Sequence, residues 1–189
     1  MLLARFLAFI SVLSFILFSP GSSRPQSQLR GQPRMPFTDE GACPFEGCHY
    51  GEWTAVARTV ARRDANMNSP VVFAIKSGEM VTALKGEVIT REFGIVRVLK
   101  HTVFEGGFEA PAGAVLYILH GNGEGSFSFW YNGATHHDLL YAEGVHKGNS
   151  HFPWDVISLP KTEWWANVKN HDGQIGWILD PDFQGTVSY

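Results

Sequence analysis

Hydrophobic and polar positions divide this chain into two unequal parts. Positions 6–18 form an apolar run broken only by Ser11 and Ser14. Beyond it no apolar block of that length recurs, and hydrophobic residues come in short bursts between turn signals. Residues 55–63 read as strand, with Trp53, Thr54 and Thr59 outweighing the four-residue spacing of Val56 and Val60. Positions 71–76 are β-rich, Ser77-Gly78 turns the chain, and 79–84 form a strand that Gly86 is expected to end. Strands at 88–91 and 95–99 follow, then a Pro111-Ala112-Gly113 turn, a strand at 114–119 and a glycine-rich connection at 120–125.

Residues 126–131 alternate, with Phe127, Phe129 and Tyr131 on one face and Trp130 on the other. Asn132-Gly133 is a turn that favours positive φ. The 134–160 stretch is irregular and is expected to be a long loop insertion, a feature often functional in compact domains. A strand at 163–169, an Asn170-His-Asp-Gly173 turn and a return strand at 174–179 make a strong hairpin signal. Residues 180–183 are expected to add one helical turn. Short strands at this spacing predict an all-β domain, a small barrel or sandwich.

The leading run is read differently. Arg5 precedes it and Ser19-Pro20-Gly21-Ser22-Ser23 follows it, the pattern of a secretory signal peptide over residues 1–21. Its 13 residues fall short of the roughly 20 that a spanning helix needs. The expected location is secreted or periplasmic, with no membrane span after cleavage. The alternative is an uncleaved N-terminal anchor with Arg5 reaching the interface. Residues 22–35 hold Ser, Gln, Pro, Gly and arginine without an acidic residue, the composition of a disordered linker. Residues 36–189 remain as one β domain of ordinary size.

The net charge of −3 argues against nucleic acid or an anionic membrane surface as the main partner. The only cysteines, Cys43 and Cys48, would pair in an oxidising compartment into a small clip. A redox or metal pair is the alternative reading. His136, His137, His146 and His151, with Asp138, Glu143 and Asp155 nearby, could supply metal ligands, but no metalloprotease spacing is present and a solvated polar loop is the simpler reading. No G-x-S-x-G elbow or phosphate loop occurs, so no catalysis and no cofactor are expected.

The strand–turn–strand at Trp164–Lys169, Asp172-Gly173 and Gly176-Trp177-Ile178 resembles the end of a bacterial Src-homology-3-like domain. The likeness is best over residues 163–183 and extends loosely to 71–99. Residues 123–133 also resemble a segment of exported bacterial proteins of unknown function. The resemblance implies a small barrel, elaborated or present as two degenerate units because 104–161 is too long for one. It also implies a non-catalytic envelope module that binds a peptide or peptidoglycan; a structural or assembly subunit that turns its aromatic residues to a protein partner is a further reading. An aromatic groove would then receive an extended ligand, with Trp130, Tyr131, Trp164, Trp165 and Trp177 as candidates. Trp164 and Trp165 must point to opposite faces of a strand.

Overall fold

A computed structural model describes residues 31–142 and 151–185. The proposed signal segment and residues 22–30 of the proposed linker lie outside them. Packing has begun by Pro33, which is buried. The described chain is all-β, without a helix, so none is long and apolar enough to cross a membrane.

The chain enters a large sheet through β1 (Phe37–Glu40), β2 (Gly51–Ala55), β3 (Thr59–Arg62), β4 (Val71–Ile75) and β5 (Met80–Glu92). It then crosses into a smaller sheet through β6 (Gly94–Val98), passes through a separate two-stranded hairpin of β7 (Thr102–Val103) and β8 (Glu109–Ala110), and continues in the smaller sheet with β9 (Val115–Gly123), β10 (Ser126–Tyr131), β11 (Ala134–Leu139) and β12 (Trp154–Ser158). It returns to the large sheet with β13 (Lys161–Lys169), β14 (Ile175–Leu179) and β15 (Phe183–Gln184). The large sheet runs β15-β2-β5-β13-β14-β3-β4, with β1 added along β5, and curls into a half-barrel. The smaller sheet runs β11-β10-β9-β6-β12. One unit is therefore nested inside the other.

Each sheet has its own core because each supplies one apolar face. Trp53, Phe73, Ile75, Val81, Ala166, Val168, Ile178 and Phe183 fill the concave side of the large sheet. Val96, Leu116, Ile118, Phe129, Trp154 and Val156 fill the smaller one, closed by Phe104 and Ala110 of the β7–β8 region and by Leu140. Burying each large side chain contributes about 1.5–3 kcal/mol. Polar bonds tie the units together: Thr90 on β5 donates to the Leu119 carbonyl of β9 at 2.8 Å. His120 Nε2 lies 2.8 Å from Asp39 Oδ2 on β1.

The alternation at β10 and the β13–β14 hairpin form as their patterns predict. In the hairpin turn, Gly173 N donates to Asn170 O at 3.0 Å and Gln174 N to Asn170 Oδ1 at 2.8 Å. Three expectations need correction. Gly86 does not end a strand, since β5 runs straight through it. A Cβ there would lie 2.6 Å from Tyr50 Oη and 2.9 Å from Trp164 Nε1, so the glycine makes room for two rings. The expected loop over 134–160 contains β11 and β12, both paired at sheet edges. Residues 180–183 form no helical turn; Phe183 pairs with Ala55 in β15.

Candidate functional site

The five aromatic candidates do not line one groove. Trp164 packs half-buried against the large core, 6.1 Å from Trp53 and edge-on to Phe45 at 5.0 Å. Its neighbour Trp165 is on the opposite face yet 0% exposed, its indole N–H donating to Glu163 at 3.0 Å. Glu163 in turn forms a two-point ion pair with Arg91, at 3.0 and 2.8 Å. The hydrogen bond from Arg91 holds the Glu163 carboxyl below the usual carboxylate range. Trp165 thus has no surface to offer a ligand. Trp177 lies on the outer face of β14, with Lys85 Nζ 5.5 Å from its ring centre. Trp130 and Tyr131 belong to the smaller sheet. Among the described residues no ring contact joins them to the other three.

The histidines are separated as well. His136 is packed among rings, 4.4 Å from Phe108 and 5.7 Å from Phe129. His137, on the opposite face of β11, places Nδ1 2.9 Å from Ser128 Oγ. His151 is exposed, and His146 lies outside the described residues. Among the described residues no three His, Cys, Asp or Glu side chains converge to hold a metal. The Ser128–His137 contact has the form of a nucleophile and base, but Ser128 is 0% exposed and also bonds the Asn122 side chain at 3.1 Å.

The structure instead builds a depression between the two units. Cys43 and Cys48 form a disulfide with Cα atoms 5.6 Å apart, as their spacing suggests. The loop it closes is clamped on both sides. Phe45 abuts Trp164 of the large sheet. On the other side, the Glu46 backbone packs on Gly123 of the smaller sheet, where a Cβ would fall 2.6 Å from Glu46 N. Glu46, Asn122, Gly123, Glu124, Ser126, Leu139 and Tyr141 line the resulting space of about 480 Å³. The Glu124 charge beside Glu46, and a hydrogen bond between the two side chains, push the Glu46 carboxyl above its usual range.

Glu124, in the two-residue turn between β9 and β10 that calls for it, and Tyr141 both hold positive φ, at 47° and 45°, as Asn132 and Asp180 do elsewhere. The Gly125 carbonyl stabilises the second by accepting from Leu140 N and Tyr141 N, both at 2.9 Å. Tyr141 also starts a ring ladder. It stacks on Phe152 at 5.2 Å and 8°, Phe152 on Trp154 at 5.4 Å and 11°, and Trp154 on Phe104 at 5.4 Å and 24°. Its outer two rings are exposed, Tyr141 by 38% and Phe152 by 36%.

Sequence reasoning misses this site because its parts come from four separate segments. The one local signal is Phe152-Pro-Trp154, aromatic density inside a stretch otherwise polar enough to read as loop. No protein-family model, curated protein or solved structure matches the chain.

Proposed function

We propose that this is an exported, non-catalytic binding module of the cell envelope. The half-barrel is read as Src-homology-3-like, elaborated by the nested second sheet. The depression between the units receives a peptidoglycan fragment, a sugar or its attached peptide. The observation that carries this reading is the coincidence of the Glu46–Glu124 carboxylates with the exposed end of the Tyr141–Phe152 ladder. Flat exposed rings stack on the apolar face of a sugar, and carboxylates accept from hydroxyl and ammonium groups. A ligand ammonium placed between two carboxylates would also relieve their mutual repulsion. The disulfide suits an oxidising compartment outside the cytoplasm, in keeping with the leading apolar segment.

Retention of the purified protein on isolated peptidoglycan sacculi tests the reading. Wild type should sediment with sacculi. Tyr141→Ala with Phe152→Ala, and separately Glu46→Gln with Glu124→Gln, should lower retention at least about tenfold, the effect of losing roughly 1.4 kcal/mol. Failure of wild type to sediment, or unchanged retention in both double variants, sinks the proposal.

A further inference from the structure

The outer face of the half-barrel brings an amine, a carboxamide and a carboxyl side by side. Ala83, Ala166, Val168 and Ile178 point into the core, so strand alternation sends Lys85, Asn167 and Trp177 outward. Lys85 of β5 stands opposite Asn167 of β13, and Asn167 opposite Trp177 of β14. Lys85 Nζ nevertheless reaches a point 5.5 Å from the Trp177 ring centre. To get there the lysine chain crosses Asn167, which lies on the strand between. Asn167 is accordingly only 9% exposed despite its outward position, and its Nδ2 donates to the Gly176 carbonyl at 3.4 Å. A primary amine is thus laid across an amide that water barely reaches.

The backbone contributes to this placement. The β5–β13 register shifts between Asn167 and Val168, a bulge of the kind that re-aims side chains. Leu84 and Lys85 are consecutive yet both exposed. Glu87 supplies the carboxyl, two positions from Lys85 on the same face, opposite Trp165 of β13 and Glu40 of β1. Burial pushes the Glu87 carboxyl up, Lys85 draws it down and Glu40 pushes it up. The other groups of this face are engaged elsewhere. Lys169 and Glu52 both lie opposite Thr82, and Arg62 donates to the Ser69 carbonyl at 3.0 Å. Amine, amide and a partly desolvated proton carrier are the parts that acyl transfer to an amine requires.

We infer that Lys85 and Asn167 join in an intramolecular isopeptide bond, with Glu87 as the proton carrier. The Lys85 ammonium gives a proton to the Glu87 carboxylate, and the freed amine attacks Asn167 Cγ. The Nζ–Cγ bond forms and the Cγ–Nδ2 bond breaks. Nδ2 takes one further proton from Nζ and leaves as ammonia, which then recovers the proton held by Glu87 and departs as ammonium. No oxidant or co-reactant takes part; fixed proximity drives the step. The bond ties β5 to β13 and closes a loop containing β6 to β12, so it constrains the unfolded chain around the nested sheet.

Mass spectrometry of the purified full chain, reduced and alkylated, tests this. Wild type should weigh one ammonia less than its amino-acid sum, and a proteolytic digest should yield a branched peptide joining Lys85 to Asn167. Lys85→Arg and Asn167→Ala should show full mass and no branched peptide, with thermal melts confirming that each is folded. Asn167→Asp should form the same bond by losing water, so its final mass should equal that of wild type. Glu87→Gln should be recovered mostly unlinked, since losing a proton carrier slows such a step about 10²–10⁴-fold. Wild type at full mass, an ammonia loss that maps to a succinimide at Asn122 or Asn132, a branch from another lysine, or undiminished linkage in Glu87→Gln would overturn the inference.

Discussion

Gly123→Ala probes the junction on which the depression depends. Gly123 sits at φ 94° and its virtual Cβ lies 2.6 Å from Glu46 N, 3.2 Å from Phe45 C and 3.3 Å from Glu46 Cα. Two costs follow. A side chain at that φ is strained by about 1–3 kcal/mol. Overpacking against backbone atoms adds about 1–3 kcal/mol, because the loop cannot swing freely. It is closed by the Cys43–Cys48 bridge and held by the Phe45–Trp164 contact. Gly133→Ala supplies the control: its φ is 85° but nothing lies within 4 Å of a Cβ there, so only strain applies. In urea unfolding under non-reducing conditions, Gly123→Ala should be the less stable variant by about 1–3 kcal/mol, a midpoint difference of about 1 M. Gly123→Ala should also lose sacculus retention while Gly133→Ala keeps it. Equal midpoints for the two variants would refute the clamped-loop geometry.

Other outcomes follow from the same contacts. Trp165→Ala should cost about 3–5 kcal/mol, seen as a large fall in denaturation midpoint, and any fraction that folds should still bind sacculi. Cys43→Ser should destabilise by no more than about 2 kcal/mol, the loop-entropy limit for so short a ring, yet should reduce sacculus retention through the freed Glu46. Glu163 has a folded-state pKa below its unfolded one, so its pairing with Arg91 adds stability above the usual carboxylate range that is lost as pH falls through the lowered value. Glu163→Gln should therefore be less stable than wild type at pH 7, with the gap closing in thermal melts below about pH 4.

Secondary structure was legible wherever a strand has one buried face. At β10 the alternation of Phe127, Phe129 and Tyr131 reports which side meets the core, and at Asn170–Gly173 the turn chemistry is local. Legibility failed where the deciding atoms are distant in sequence. Gly86 looks like a break until Tyr50 and Trp164 cross it. Strand β11, carrying Ala-Thr-His-His-Asp-Leu, has too little apolar pattern to announce itself; it exists because β10 supplies its ladder partner. Phe183 opens β15, the last strand among the described residues, because β2 offers an edge, against the helical preference read from Asp180-Pro-Asp.

The same division applies to the candidate site. The amino-acid sequence alone determined the all-β class, the hairpin at β13–β14, the cysteine clip and the opposite facing of Trp164 and Trp165, all of them consequences of spacing between near neighbours. Only the tertiary structure decided that Trp165 is sealed off, that the second sheet is nested between β5 and β13, and that Glu46, Glu124, Tyr141 and Phe152 meet. Burial and convergence depend on how two curled sheets are set against each other, and that is a sum over contacts between residues up to about a hundred positions apart, which no local pattern records.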